Sequence, residues 1–151
     1  MRKSKGFSLI ELLIVVAIIL VIAAIAIPNL MKSKMAANES SAVGSIRTIT
    51  TSELTYAQVN PLTGFTTLSN LGSAGLIDTT LAGGTKSGFS FTAGANGTST
   101  TQFLATAAPV TPGTTGTNYY CSSESAVIKI GSTGFTYSTC TDQVTGSPIG
   151  N

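Results

Sequence analysis

An apolar run near the N-terminus constrains this chain more than any other feature. Residues 7–27 contain a single charged side chain, Glu11, and they follow three cations, Arg2, Lys3 and Lys5. A helix of this length spans roughly 30 Å at about 1.5 Å per residue, which matches the hydrocarbon core of a bilayer. Because basic flanks stay on the cytoplasmic side, the sequence predicts that the C-terminal part of the chain crosses the membrane.

The same segment admits two simpler interpretations. A cleavable secretory signal has a basic start, an apolar run and a small-x-small site, which Ala24-Ile25-Ala26 supplies. A permanent single-span anchor needs only the apolar length. Neither explains Glu11, since a carboxylate inside a bilayer costs on the order of a few kcal/mol and usually marks function. A cut at the polarity step between Gly6 and Phe7 creates an amine beside that carboxylate.

Residues 6–12, GFSLIEL, resemble the processing signature of type IV prepilins and of type II secretion pseudopilins. The resemblance implies that a prepilin peptidase cuts between Gly6 and Phe7 and N-methylates Phe7. It also implies that Glu11 pairs with the N-terminal amine of a neighbouring subunit during assembly. The close match covers residues 1–35.

The remainder resembles a pilin in its layout, which implies an α+β fold. The expected architecture is a long N-terminal α-helix, its apolar half protruding, packed against a small antiparallel sheet of three or four strands. Four segments follow from this expectation: a leader peptide at 1–6, a transmembrane and filament-core helix at 7–28, an amphipathic continuation at 29–60, and a globular head at 61–151. The head is expected to contain a connector, the sheet and a disulfide-bounded C-terminal loop.

Pro28 is predicted to kink a continuing helix near residues 24–28, because proline removes a backbone donor and clashes with the preceding turn. The alternative is that Pro28 only marks where the chain leaves the membrane. Pro61 is expected to end the helix by residue 60. Helical spacing resumes after Pro28 in a stripe whose apolar members are Met31, Met35, Ala42, Ile46 and Ile49. Glu53 falls on the same stripe and makes it imperfect.

Short elements are predicted within the head. Residues 67–78 indicate a short helix with Leu68 and Leu71 inward. Alternating apolar residues then predict strands at 87–92 and 102–108, and a hairpin of 118–122 with 126–130. The expected packing residues of these strands include Phe89, Phe91, Phe103, Tyr120 and Val127.

Cys121 and Cys140 both lie in the last third of the chain, and the sequence contains no histidine. Two cysteines behind an export segment favour a disulfide in an oxidising compartment over two unrelated buried thiols. Such a bridge stabilises a loop of near 20 residues by about 3 kcal/mol. It also resembles the disulfide-bounded C-terminal loop of many major pilins.

Composition argues against catalysis and nucleic-acid binding. Without the leader, five basic residues face six acidic ones, so the side-chain charge is −1 and offers no electrostatic platform for nucleic acid. The absence of histidine leaves little for acid–base chemistry. Glu124 and Asp142 lack the spacing of a calcium loop, so neither a metal site nor a cofactor is predicted.

The sequence therefore predicts a structural subunit of a type IV pilus, used for adhesion, twitching motility or a related role. Its expected partners are further copies of itself in a helical filament, the prepilin peptidase, the pilus assembly machinery and the inner membrane. The expected location is the inner membrane for the precursor and the cell surface for the extracellular pilus. Two alternatives stay open: a pseudopilin of a type II secretion system, and a minor pilin that binds DNA or a surface ligand.

Overall fold

A computed structural model describes residues 6–141 and 147–149 of the chain. The residues divide into two compact units, Met1–Lys34 and Met35–Asn151. Helix α1, Leu9–Val59, is 51 residues long and continues through Pro28 without a break. It ends next to Asn60 and Pro61, since the residue before a proline is disfavoured in the α conformation. The predicted stop by residue 60 is confirmed.

Three short helices and a sheet follow α1. The helices are α2, Leu68–Ser73, α3, Thr79–Ala82, and α4, Tyr137–Thr141. The strands are β1, Thr85–Lys86, β2, Phe89–Ala95, β3, Phe103–Pro109, β4, Tyr119–Ser122, β5, Lys129–Gly131, and β6, Ser147–Pro148. Every strand pairs antiparallel with its sequence neighbours, in the order β1-β2-β3-β4-β5-β6.

The α+β class is therefore confirmed, with a larger sheet than predicted. Within the described residues the sheet has six strands rather than three or four. The two edge strands, β1 and β6, are only two residues long. A two-residue strand carries no alternating pattern, so its existence depends on the neighbour with which it pairs.

Alternating side chains of the sheet and one face of α1 form the core of the second unit. Phe89, Phe91 and Phe103 are buried as predicted, and so are Leu68 and Leu71 of α2. The rings of Phe89 and Tyr120 lie 6.0 Å apart. Gly116 is required beside this pair, because a Cβ there would lie 2.5 Å from the Phe89 ring.

Two predicted packing residues are not in the core. Val127 is 42% exposed, whereas the next residue, Ile128, is buried. Ala126 has a positive φ of 57°, and this turn changes the alternation before β5 begins. Met31, placed on the helical stripe by its spacing, is 51% exposed. Ala42, Ile46 and Ile49 of that stripe are fully buried.

Candidate processing and assembly site

The N-terminal end of α1 contains the predicted processing and assembly residues. Gly6 and Phe7 precede the helix, and Glu11 lies in its first turn. The Phe7 side chain is 80% exposed, and no atom lies within 4 Å of where a Gly6 Cβ would be. Residues 1–5, which form the rest of the predicted leader, lie outside the described residues.

Glu11 has a local role that the sequence reasoning missed. The backbone N–H of Ser8 donates a hydrogen bond to Glu11 Oε2 at 2.9 Å. Ser8 directly precedes the helix, so Ser8-x-x-Glu11 has the spacing of a capping box, in which a glutamate reaches back to the first free amide. This motif was visible in the sequence. The Glu11 carboxylate is therefore held at the helix start even before any partner subunit is considered.

The first unit presents an almost continuous apolar surface. Within residues 9–34 none is buried, and Ala23 alone is partly covered. Leu9 is 80% exposed, Leu20 64% and Leu30 70%. Among the described residues, α1 is the one helix long and apolar enough to cross a membrane, and its most apolar 18-residue window has a mean hydropathy of 3.3.

Pro28 lies inside this apolar helix. The continuation of the helix past Pro28 agrees with the preferred interpretation of the sequence, in which the proline falls within one long helix. The kink expected near residues 24–28 stays a prediction.

Cys121 and Cys140 form a disulfide whose Cα atoms are 6.1 Å apart. Cys121 belongs to β4 and Cys140 to α4, and both are buried. The bridge ties the short helix to the sheet. Nearby, the Tyr137 hydroxyl donates a hydrogen bond to Glu124. Asp142, the other acid weighed as a metal ligand, lies outside the described residues.

A second carboxylate on α1, Glu39, fastens the helix to the loop before β4. Glu39 Oε1 accepts the Thr117 N–H at 2.7 Å, the Thr117 hydroxyl at 3.0 Å and the Asn118 N–H at 3.2 Å. Its Oε2 accepts the Asn118 side-chain amide at 3.0 Å. Burial opposes the charged form, but these hydrogen bonds outweigh it and lower the pKa of Glu39 below its ordinary value.

A third carboxylate, Glu53, is fully buried on the same helix. Its Oε2 accepts the Thr66 N–H at 3.0 Å. Burial, opposed by that hydrogen bond, raises the pKa of Glu53 to about 7. Isolated acids on an amphipathic helix carry no sequence signal for such roles. Glu53 appeared in the sequence only as an imperfection of the apolar stripe.

In the described ranges, 6–141 and 147–149, no three His, Cys, Asp or Glu side chains come together as metal ligands would. The carboxylates of Glu39 and Glu53 instead form hydrogen bonds that connect α1 to the loops packed against it. The chain thus has an exposed apolar helix, a carboxylate that caps the start of this helix, and a disulfide-bridged head.

Comparison with known proteins supports this description. Residues 1–27 match the family described as "Prokaryotic N-terminal methylation motif". The chain is 58% identical over 40 residues to the type IV wide pilus major component PilA4 of Thermus thermophilus, which covers 26% of the chain and 30% of that protein. It is 43% identical over 54 residues to the type IV major pilin protein PilA of Myxococcus xanthus, covering 36% of the chain and 24% of the relative.

The matched regions thus span less than a third of either relative. No solved structure matches the chain. The methylation motif lies over the residues that precede and begin α1, and the fold combines a long apolar N-terminal helix with an antiparallel sheet. Together with the two relatives, these features make the N-terminal part of the chain similar to type IV pilins.

Proposed function

We propose that the chain is the structural subunit of a type IV pilus, made as an inner-membrane precursor and polymerised into a surface filament through the N-terminal part of α1. The exposed apolar surface of residues 9–30 carries this proposal. Side chains such as Ile10, Leu20 and Ile25 are each 64% exposed. Water tolerates so large an apolar surface poorly. Lipid surrounds it in the precursor, and helices of other copies cover it in the filament.

Processing between Gly6 and Phe7 by a prepilin peptidase is part of the proposal. Nothing lies close to Gly6, so packing does not explain a glycine at this position. Recognition by another protein does explain it. Cleavage frees the amine of Phe7, which the methylation motif supports as the modified group.

Assembly then depends on Glu11. Its carboxylate lies in the first turn of an apolar helix, where it needs a cation once lipid or other helices surround it. The new amine of Phe7 is that cation, and in our proposal it belongs to an incoming subunit rather than to the same helix. In a low-dielectric surrounding the pair attracts strongly, although desolvation offsets part of the gain. The pair therefore fixes the axial register of each subunit. Apolar packing supplies most of the cohesion of the filament, and the assembly machinery adds the subunits.

Both relatives are named as major pilus components, which favours a pilus over the piston of a type II secretion system. The proposal includes no catalytic role, and no role in binding nucleic acid.

Intact-mass analysis of purified surface filaments tests the proposal. The chain is expected as their main subunit, beginning at Phe7 and carrying one extra methyl group. A start at Ile27, after Ala24-Ile25-Ala26, contradicts the proposal, and so do filaments that lack the chain. Gly6→Val is a sharp companion variant, because open space around Gly6 leaves the fold unchanged. It is expected to accumulate as uncut precursor in the membrane.

A further inference from the structure

Glu53 is a buried acid that has no role in the proposed assembly of the filament. It lies in the part of α1 that contributes to the core, and its exposed fraction is 0%. Oε2 accepts the Thr66 N–H at 3.0 Å, whereas Oε1 has no hydrogen-bond partner among the described residues. An ionised carboxylate with one free buried oxygen is costly, so this site favours the neutral acid.

We propose that Glu53 is a pH-sensitive clasp between α1 and the connector formed by residues 60–67. As a neutral acid it stays in the core and holds the connector through Thr66. When it ionises, the carboxylate requires water, and the connector loosens to admit it.

The first half of the connector is exposed, whereas its second half is buried at Gly64 and Phe65. Pro61, Leu62 and Thr63 are exposed, and Leu62 is 93% exposed. Further along, Phe65 is packed on Phe103 with ring centroids 4.6 Å apart. The Thr66 N–H lies immediately after this anchor, so in our proposal water reaches the free Oε1 of the ionised Glu53 through the exposed segment before Phe65, and the sheet stays folded.

No charged group on the described elements around Glu53 stabilises its ionised form. Between residues 60 and 110, which include the connector, α2, α3 and strands β1–β3, the charged residues are Asp78 and Lys86. They pair with each other at 3.0 Å. Burial, opposed by the Thr66 N–H, is the cause of the raised pKa of Glu53, about 7.

The ionisable groups on the remaining described elements do not affect the pKa of Glu53 either. On α1 itself, Arg47 is exposed and Tyr56 is half-buried. From the sheet, burial and the charge of Glu39 raise the pKa of Tyr120, and Glu53 has no part in this shift. Lys129 of β5 and Glu124 after β4 complete the charged groups of the strands that follow. None of these groups contributes to the pKa of Glu53.

The sign of the pH effect follows from linkage. Glu53 ionises at its ordinary value of 4.5 in the unfolded chain and at about 7 in the folded chain. Between these values the folded state binds more protons, so stability falls as pH rises. The folding equilibrium constant falls by roughly a hundredfold over this window, since each pKa unit is worth a factor of ten. Above the folded pKa, ionisation occurs within the folded state and loosens the connector.

Hydrogen exchange on the full chain in detergent micelles tests the clasp, read at about pH 6 and about pH 8 after correction for intrinsic rates. The hydrogen-bonded amides of Thr63, Gly64 and Thr66 are expected to lose at least tenfold of their protection at the higher pH, while β2 and β3 keep theirs. Glu53→Gln, which is neutral throughout, is expected to remove this step. Glu39→Gln, a matched change at another acid of α1, is expected to retain it.

Side-chain carboxyl NMR of the wild-type chain provides a direct readout that does not depend on any variant. A Glu53 titration midpoint near 7 supports the clasp. A midpoint near 4.5, or connector protection that is the same at both pH values, overturns it. A pH step that persists in Glu53→Gln overturns it as well, because another group then controls the connector.

Discussion

Helix α1 passes through two regions whose apolar side chains have opposite environments. In residues 9–34 no side chain is buried, although this region holds most of the large aliphatic residues of the helix. In residues 35–59 the buried positions are Ala42, Ser45, Ile46, Ile49, Thr50, Ser52 and Glu53. The less apolar region is thus the one with the buried face.

This contrast shows that burial depends on what a chain provides to cover a helix, and not on hydropathy alone. The second region is covered by the sheet and short helices of its own chain, so it stabilises a single subunit. The first region contributes little to the stability of a single subunit in water, because its apolar surface stays exposed. In our proposal its stabilisation comes from lipid or from other copies.

Changes at Glu11 are expected to have the largest effect, because they should abolish assembly and leave the head intact. Glu11→Ala removes both the bond from Ser8 and the charge. Glu11→Gln keeps an oxygen for the Ser8 N–H and removes only the charge. We expect both variants to be made, inserted and cut, yet to form few or no filaments, and Glu11→Asp to be intermediate. Electron microscopy and intact-mass analysis measure these outcomes.

The glutamine variant is decisive for the role of the charge. Normal numbers of Glu11→Gln filaments with an unchanged helical rise would mean that the helix cap matters and the ion pair does not. Normal filaments from Glu11→Ala would refute both roles.

A core truncation in the head should have the reverse effect. Phe89 is fully buried in β2, and Phe89→Ala is expected to lower the free energy of unfolding by about 3–5 kcal/mol. The matched change Ile18→Ala removes a side chain that is 54% exposed and should alter head stability by less than about 0.5 kcal/mol. Chemical denaturation in detergent, followed by tyrosine fluorescence, compares them. Equal losses of stability would contradict the division into two regions.

Loss of the disulfide is expected to destabilise one part of the head more than the rest. Replacing Cys121 and Cys140 with serine is expected to lower the free energy of unfolding by about 3 kcal/mol, since the bridge closes a loop with a sequence separation of 19. Exchange in α4 should become faster, and exchange in residues 9–34 should not change. Mass spectrometry without reductant checks the wild type, and two free thiols in native filaments would contradict the bridge.

Glu39 is expected to have the smallest of these effects. Glu39→Gln should lower the free energy of unfolding by about 1–2 kcal/mol at neutral pH, because hydrogen bonds to a charged carboxylate are stronger than hydrogen bonds to a neutral amide. Its lowered pKa means that this stabilisation is present above 4.5 and is lost as pH falls through the folded pKa. The difference between wild type and variant should therefore shrink in acid. Glu124→Gln serves as an exposed control, and a difference that stays constant with pH would refute the assignment.

Local patterns in the sequence predicted much of the second unit. The alternation of Phe89 with Phe91, and of Phe103 with Ala105, indicated two strands whose inner faces are buried. The spacing of Leu68 and Leu71 indicated α2. These predictions succeeded because the period of burial along a strand or helix is a property of neighbouring residues.

The failures have a common physical origin. Strands β1 and β6 are too short to show a period, so only pairing with β2 and β5 defines them. Val127 follows a residue with positive φ, which changes the alternation. Glu39 acquires its role from Thr117 and Asn118, and Glu53 acquires its role from Thr66. In each case the partner lies outside the local pattern of the helix.

Adjacent residues and the polarity of a single segment were enough to predict the apolar helix and the motif proposed for processing. Folding alone defines which face of α1 is covered, how many strands complete the sheet, and which acids have a raised or a lowered pKa. Burial and hydrogen bonding set the pKa of Glu39 and Glu53 in opposite directions. Both depend on atoms that only folding brings together.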